Sequence, residues 1–239
     1  MSEAKTIVSQ AYDNLADWYL TWVDDQKSPR ERYASKVLEN HPSSPTTTET
    51  TTKTKTKTKP YILELGCGPG VPITRMLLQK GARVLANDIS PKQISLAKTQ
   101  CLPPNNNNTN TNTLTFIPGD MAHLPLPPST FDGAICLFTL FHLPRAEQEP
   151  MLSKIFSWLK PGGLLVLNFA TVDEEEIYGE MMGNGIFWSS FPVERNRAMV
   201  VGVGFVVEGE EVLVSEADGG VEFQWIAARK GLGGKGVVG

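Results

Sequence analysis

Apolar positions near the start of the chain recur at the spacing of a helix. Tyr12, Leu15, Tyr19 and Trp22 lie three or four residues apart, which places them on one side of an α-helix. An aromatic stripe of this kind usually packs on the body of a protein. We therefore expect residues 1–41 to form a helical cap on the rest of the molecule.

From residue 60 onward, short apolar runs alternate with amphipathic segments. The runs that predict strands are 61–65, 82–88, 114–120, 131–140 and 164–169. A connecting segment, a short helix near 192–202 and strands near 205–215 and 221–228 should follow, with a hairpin turn at Asp218-Gly219-Gly220. Alternating strands and helices predict an α/β fold with an open, mostly parallel sheet and helices on both faces. The final strand of the C-terminal hairpin should be antiparallel.

Polar, repetitive tracts divide the chain. Residues 42–59, rich in Thr and Lys, predict a disordered linker, although their lysines could also form a targeting or phosphate-binding patch. The Asn- and Thr-rich residues 103–113 predict a surface-loop insertion. We expect the main domain to cover 60–230 and a flexible tail to cover 231–239.

Charge and cysteine content narrow the class of protein. The net charge of −4 argues against nucleic acid as the main partner, because phosphate binding needs clustered Lys and Arg. No apolar run approaches the ~18 residues that span a bilayer, and the N-terminus lacks the apolar core of a secretory signal. The three cysteines form no CxxC pair and no disulfide-like framework. We expect a cytoplasmic protein with free thiols and no membrane partner.

A glycine loop follows the first predicted strand. Gly66, Gly68 and Gly70 stand between that strand and a helix, where backbone can approach a ligand closely. Their GxGxG spacing differs from the GxGxxG of dinucleotide-binding dehydrogenases, and the Lys of a phosphate-binding loop is missing. Glu64 directly before the loop disfavours a pyrophosphate and favours a cationic ligand.

Acidic residues also end the second and third strands. Asp88 stands where a carboxylate could accept hydrogen bonds from ribose hydroxyls, and Asp120 is placed for an adenine amino group. Either aspartate could instead cap the helix that follows it. Three acidic residues, in order after three successive strands, favour a nucleoside-containing ligand with a positive charge.

The successive motifs resemble a known family. They are ELGCGPG at 64–70, NDIS at 87–90, GDM at 119–121, FDGAICLFTLFHL at 131–143 and LKPGG at 159–163. In this order they resemble class I S-adenosylmethionine-dependent methyltransferases, and more narrowly the small-molecule type 11/25 group. The resemblance implies a Rossmann-like fold, S-adenosylmethionine as cofactor and methyl transfer to a small-molecule acceptor.

The resemblance also implies roles for individual residues. The glycines at 66, 68 and 70 would line the methionine moiety, Asp88 would hold the ribose, and Asp120 with Met121 the adenine. Leu137 and Phe138 would close the pocket. Further candidates for cofactor binding are Tyr19, Glu64, Cys67 and Ile89, with Cys67 read as a small lining residue rather than a nucleophile. A ring of the N-terminal helix, such as Tyr19, could approach the sulfonium, or it could simply pack.

Methyl transfer from a sulfonium depends mainly on alignment of donor and acceptor, so no universal catalytic residue is required. His142, just after the fourth strand, is the candidate general base, with local hydrogen bonding as the alternative. Trp188 and Phe191 would build an acceptor pocket or pack in the core.

Three other functions stay open on the sequence. A nicotinamide-dependent oxidoreductase is disfavoured by the GxGxG spacing and by the lack of a Tyr-x-x-x-Lys pair after the fourth strand. A non-catalytic S-adenosylmethionine-binding protein would keep the cofactor residues without access for an acceptor. A methyltransferase of macromolecules is disfavoured by the missing Asn-Pro-Pro-Tyr-type motif and the lack of a large basic face. The chain could be a monomer or a homodimer.

Overall fold

A computed structural model describes residues 2–25, 28–39, 58–102 and 113–232. The linker expected at 42–59, the insertion at 103–113 and the tail at 231–239 lie largely outside the described residues. Within the described ranges, no helix combines the length and apolar character needed to cross a membrane.

Three helices precede the sheet. They are α1 (Glu3–Asn14), α2 (Ala16–Asp25) and α3 (Arg30–Glu39). The first two pack at one end of the sheet, whereas α3 lies directly against it and buries Tyr33 and Val37. The N-terminal region thus supplies both a cover for the sheet's edge and part of the layer on one face.

A single seven-stranded sheet forms the centre of the molecule. Its strands are β1 (Tyr61–Leu65), β2 (Arg83–Asp88), β3 (Leu114–Pro118), β4 (Phe131–Cys136), β5 (Leu159–Ala170), β8 (Phe205–Ser215) and β9 (Val221–Lys230). Their order is β3-β2-β1-β4-β5-β9-β8, with β1 to β5 parallel and β9 antiparallel to both of its neighbours. The predicted open, mostly parallel sheet with an antiparallel final strand is confirmed.

Helices cover both faces of this sheet, as predicted. The later helices are α4 (Ile73–Gln79), α5 (Pro91–Cys101), α6 (Arg145–Trp158) and α7 (Val193–Val203). One face is packed with side chains of α6 and α7, such as Leu152 and Met199, and the other with side chains of α3, α4 and α5, such as Tyr33, Ile73 and Ile94. Burial of apolar area on both faces explains why the inner strands are almost continuously hydrophobic.

The prediction of a plain connecting segment after β5 is wrong, because this segment forms a β-hairpin. Strands β6 (Glu174–Met181) and β7 (Asn184–Ser190) pair antiparallel as a separate two-stranded sheet. Ile186 and Phe187 are buried against the apolar side of α1. That contact joins segments far apart in the sequence, so no local pattern predicted it.

Two boundaries also differ from the predictions. The fourth strand ends at Cys136, not at residue 140, because Phe138 has a positive φ of 56° and a 3-10 turn covers Leu140–His142. The fifth strand starts at Leu159, not at residue 164, and includes Pro161-Gly162-Gly163.

Candidate functional site

One cavity lies at the carboxyl ends of β1, β2 and β4, beneath α1 and α2. It contains about 640 Å³ of empty space, including the part that is open to solvent. We call it the strand-end cavity. Of the cofactor-binding candidates, its lining includes Tyr19, Gly66, Gly68, Asp88, Ile89, Asp120, Met121 and Leu137, together with Phe138 and His142. In an open α/β sheet this edge is the usual position of a ligand.

The glycine loop is held in its shape by backbone conformation and by close packing. Gly66 and Gly68 have φ of 69° and 54°, a region that residues with a side chain rarely adopt. A Cβ on Gly66 would overlap Thr139 Oγ1, whose hydroxyl donates to Leu137 O at 2.8 Å. The loop therefore fits against the end of β4 and exposes its own backbone to the cavity.

Gly70 and Cys67 differ from the other loop residues. A Cβ on Gly70 would lie 2.7 Å from Cys101 Sγ and 3.1 Å from Ala97 Cβ, so this glycine allows the loop to pack on α5. Gly70 is not among the described residues that line the strand-end cavity. Cys67 is buried, and burial raises the pKa of its thiol well above the usual value, so the sulfur stays protonated.

Asp88 links the glycine loop to the end of β2. Its Oδ2 accepts from Gly68 N at 2.8 Å and its Oδ1 accepts from Ser90 N at 2.9 Å. Burial raises the pKa of this carboxyl to about 6, although the two backbone donors oppose the increase. A carboxylate can accept about four hydrogen bonds, so capacity remains for ligand hydroxyls.

Asp120 already forms an ion pair. Lys5 of α1, only 3% exposed, donates to Asp120 Oδ2 at 2.8 Å and also contacts Glu147. Asp120 Oδ1 accepts from Ala122 N at 2.9 Å, as in a helix cap. Burial alone would raise the pKa of Asp120, but the Lys5 and Ala122 hydrogen bonds bring it below the usual value. The neighbouring Met121 and Ile89 line the cavity with apolar surface.

Glu64 faces a smaller cavity behind the glycine loop, which we call the loop cavity. This space of about 400 Å³ is also lined by Cys67, Tyr19 and Arg30. Glu64 is 4% exposed, and its Oε2 accepts from Thr74 Oγ1 at 2.6 Å. Burial raises the pKa of Glu64 to about 8. Its carboxyl would be ionised far more readily beside a cationic group.

His142 is buried and hydrogen-bonded through both ring nitrogens. Nδ1 lies 2.8 Å from Phe187 O and Nε2 lies 3.0 Å from the Tyr12 hydroxyl. A carbonyl oxygen can only accept, so Nδ1 carries the proton and Nε2 accepts from Tyr12. Burial lowers the pKa of His142 to about 4, so the ring is neutral at pH 7.

A third and larger space opens beside the strand-end cavity. It measures about 1490 Å³, including its open mouth, and is lined mainly by aromatic and aliphatic side chains. We call it the aromatic cavity; its lining includes Trp18, Tyr19, Trp22, Phe138, Phe141, Trp188 and Phe223. Trp188, for which the sequence left an acceptor pocket and core packing open, is part of this lining. Phe191 is not among the described residues of this lining and instead lies beneath Arg145, whose Cζ is 4.2 Å from the ring centroid.

Several residues of these cavities escaped the sequence reasoning. Lys5 and Arg30 precede the sheet by many residues, and a lone cation in a polar stretch gives no signal of burial. The role of Thr139 follows only from its contact with Gly66 in the structure. Asn87, within the NDIS motif, donates from Nδ2 to Ile117 O and Gly119 O, both at 2.8 Å, and so joins the ends of β2 and β3.

The sequence of this chain is similar to a family model and to several curated proteins. Residues 62–163 match the family model described as a methyltransferase domain. Sterol 24-C-methyltransferase of Pneumocystis carinii is 28% identical over 162 residues, which cover 63% of this chain and 41% of that protein. Carboxy-S-adenosyl-L-methionine synthase of Vibrio parahaemolyticus is 27% identical over 124 residues, covering 51% of this chain and 48% of that protein.

Among solved structures, magnesium protoporphyrin IX methyltransferase from Synechocystis with bound S-adenosylmethionine has the same fold. The TM-score is 0.69 at 18% identity, and the match covers 96% of this chain and 98% of that one. The chain spans less than half the length of the two curated relatives named above.

Proposed function

We propose that this chain transfers a methyl group from S-adenosylmethionine to a small-molecule acceptor, because residues 62–163 match a methyltransferase domain and lie in a Rossmann-like α/β sheet. The observation that carries the proposal is the buried Asp88 carboxylate, hydrogen-bonded to Gly68 N at the edge of the strand-end cavity. It combines a backbone cradle with an acceptor for ribose hydroxyls at the ligand-binding edge of the sheet.

The residues present fit this cofactor chemically. Asp88 would accept from the ribose, and Gly66 and Gly68 would approach the methionine moiety with bare backbone. Met121 and Ile89 would contact the adenine. The Asp120 carboxylate would accept a hydrogen bond from the adenine amino group while it remains paired with Lys5. Glu64, whose raised pKa of about 8 reflects burial without a cation, would gain from a positively charged ligand nearby. Leu137 and Tyr19 would complete the lining of the strand-end cavity, and Cys67 would lie behind it in the loop cavity.

The bound donor supplies an electrophilic methyl group, and the chain supplies orientation and exclusion of water. The apolar lining and the covering helices α1 and α2 keep the strand-end cavity largely out of solvent. His142 is neutral and already accepts from Tyr12, so we propose that it positions the Tyr12 hydroxyl. The general-base role would require Tyr12 to move away from Nε2 first.

A small acceptor is supported by the aromatic cavity next to the strand-end cavity. Tyr19, Phe138 and His142 line both, so a molecule in the aromatic cavity would lie beside the donor. Two of the three similar proteins named above are a sterol methyltransferase and a magnesium protoporphyrin IX methyltransferase. We also propose a cytoplasmic location, in line with the three free thiols, and no nucleic-acid partner, with a monomer or a homodimer as the assembly.

Isothermal titration with S-adenosylmethionine, alongside NADH and NADPH, tests the cofactor. We expect micromolar binding of S-adenosylmethionine alone. Binding of a nicotinamide cofactor instead would favour the oxidoreductase alternative. Absence of any binding would overturn the proposed function while leaving the fold intact.

Catalysis needs its own test, because a non-catalytic S-adenosylmethionine-binding protein would pass the titration. Incubation with S-adenosylmethionine and a library of ring-containing small molecules, followed by detection of S-adenosylhomocysteine, separates the two. Acceptor-dependent release of S-adenosylhomocysteine is the expected result. Release only with protein or nucleic acid added would move the acceptor to a macromolecule.

A further inference from the structure

Arg30 is a buried cation in the wall of the aromatic cavity. It is the first residue of α3 and only 6% exposed, yet it lines both the aromatic cavity and the loop cavity. Its Cζ lies 4.1 Å from the centroid of Phe138 and 5.5 Å from that of Trp22. Among the described residues, none accepts a hydrogen bond from its guanidinium or forms an ion pair with it.

A buried guanidinium is normally paired with an anion. Removing a charge from water is costly, and contacts with two aromatic faces offset only part of that cost. Its planar group of N–H donors matches a carboxylate, sulfonate or phosphate. Arg30 therefore has donors to offer to an anionic group that enters from the cavity.

The rest of the aromatic cavity is apolar enough to hold the body of such a molecule. Trp22, Phe138 and Trp188 supply broad aromatic surfaces, and Glu180 at the mouth is exposed. The part of this cavity that a water-sized sphere can enter measures about 600 Å³, within the ~300–1,000 Å³ of common small-molecule sites. This combination of one buried cation and several rings selects a large, apolar anion.

We propose that the methyl acceptor is an organic anion with a bulky, ring-containing body, and that Arg30 pairs with its acidic group. This inference rests on the proposed function, because it assigns the aromatic cavity to the acceptor. Arg30 and Phe138 also place the acidic group beside the strand-end cavity, since Phe138 lines both spaces. Arg30 thus acts as a specificity-determining residue.

A carboxylate could also come from the methionine moiety of the donor, because Arg30 reaches the loop cavity as well. Its guanidinium also contacts Trp22, which lines the aromatic cavity and is not among the described residues of the other two cavities, and this contact favours the acceptor side. The methionine moiety is proposed to lie beside Gly66 and Gly68, which line both the strand-end cavity and the loop cavity, so the donor's carboxylate is the competing ligand for Arg30. The experiment below separates the two sources.

A pair of fluorescent probes tests the proposal without knowledge of the natural acceptor. Anilinonaphthalene sulfonate is a bulky anion, and N-phenylnaphthylamine is its uncharged counterpart. We expect Arg30→Met to weaken binding of the sulfonate by at least about tenfold, because a buried partner of the anion is lost, and to leave the neutral probe unaffected. The control Lys92→Met removes an exposed cation paired with Asp17 and should change neither probe.

Two results would overturn the proposal. Equal affinity of wild type and Arg30→Met for the sulfonate would show that Arg30 does not bind the anion. Weaker binding of S-adenosylmethionine to Arg30→Met, with unchanged binding of methylthioadenosine, would assign Arg30 to the donor's carboxylate. If the wild type does not bind S-adenosylmethionine, the proposed function is overturned, independently of the results with the two probes.

Circular dichroism and thermal unfolding establish that the variant is folded. If Arg30→Met does not fold, the affinities of the wild type and of Arg30→Lys for the two probes are compared instead. Both keep the positive charge and should prefer the sulfonate over the neutral probe. Equal affinity for the two probes in both proteins would overturn the proposal.

Discussion

Asp88 is the residue on which the proposed cofactor site depends most directly. In Asp88→Asn, the amide must present one of its N–H donors to Gly68 N or Ser90 N, and the charge that strengthens a ribose hydrogen bond is lost. We expect the affinity for S-adenosylmethionine to fall by at least about tenfold. Titration calorimetry at pH 7.5 measures the change.

A matched control is available at the other end of the sheet. Asp132 also accepts from a backbone donor, Tyr61 N at 2.8 Å, and pairs with Lys160. Asp132→Asn should lower the melting temperature and leave the affinity for S-adenosylmethionine unchanged. In the wild type, protonation of Asp88 near its pKa of about 6 should also weaken binding as the pH falls below that value. Full affinity in Asp88→Asn would refute the ribose assignment.

The buried carboxyl of Glu64 should make the stability of the protein depend on pH. Burial raises its pKa from the usual 4.5 to about 8, so folding favours the protonated carboxyl. Its contribution to stability is greatest below pH 4.5 and is lost as the pH rises towards 8, because the folded protein must then carry a buried charge. Glu64→Gln mimics the neutral form, so we expect its melting temperature to fall less than that of the wild type between pH 5 and 9.

The comparison isolates Glu64, because the other titrating groups are common to both proteins. Glu149→Gln changes an exposed carboxylate paired with Arg195 and should follow the wild type across the pH range. Glu64→Gln should also bind S-adenosylmethionine with less release of protons, which calorimetry in buffers of different ionisation enthalpy measures. Identical pH profiles for wild type and Glu64→Gln would contradict the raised pKa.

Apart from Tyr19 on the N-terminal helix, the cofactor-binding residues predicted from the sequence lie at or just after the end of a predicted strand. Asp88 and Asp120 could be placed together because the carboxyl ends of parallel strands meet at one edge of a sheet. Lys5 and Arg30 reach the same region from separate helices, and their spacing in the chain carries no trace of that contact. Their charges were visible, but their burial was not.

At the scale of elements, α1 acts as a cover that is fixed at one point by an ion pair. Lys5 joins it to Asp120, at the end of β3, and to Glu147, near the start of α6. Lys5→Met removes the cation and leaves Asp120 without its main partner. We expect hydrogen exchange in residues 3–14 to accelerate by about tenfold or more, because breaking a buried pair costs about 3–5 kcal/mol.

The dissociation rate of S-adenosylmethionine measures how loosening of α1 affects the strand-end cavity. A loosened α1 should release S-adenosylmethionine faster in stopped-flow displacement, since helix opening exposes the strand-end cavity. The pair between Lys92 and Asp17 on α2 is exposed, so Lys92→Met should alter neither exchange nor release. Unchanged exchange in Lys5→Met would mean that apolar packing of Ala4 and Val8 on β7, not the ion pair, holds the helix.

Elements with a local signature were predicted well. Pro91 begins α5 and Ser90 caps it through Gln93 N, and both are local signals of a helix start. The β6–β7 hairpin was missed because the outward side of β6 is acidic and exposed, and because Phe187 gains its burial from α1. A strand stabilised by a distant helix cannot be recognised from its own residues.

At the scale of the whole molecule, the two ends of the chain meet behind the aromatic cavity. Trp225 of β9 lies 5.0 Å from Tyr33 of α3 and 5.5 Å from Phe138, measured between ring centroids. Phe138 in turn carries Arg30 on its face. The antiparallel strand β9, inserted between β5 and β8, thus supports the wall of the cavity as well as the sheet.

This arrangement predicts that two equally buried tryptophans differ in function. Trp225 and Trp158 are 2% and 4% exposed and lie on opposite faces of the sheet. Replacing either with Phe removes similar volume and should lower the free energy of unfolding by about 1–3 kcal/mol, less than truncation to alanine. Only Trp225→Phe should also weaken binding of the neutral naphthylamine probe, because only Trp225 supports Phe138. Equal effects of both variants on probe binding would show that the cavity responds to global stability and not to the contact between β9 and Phe138.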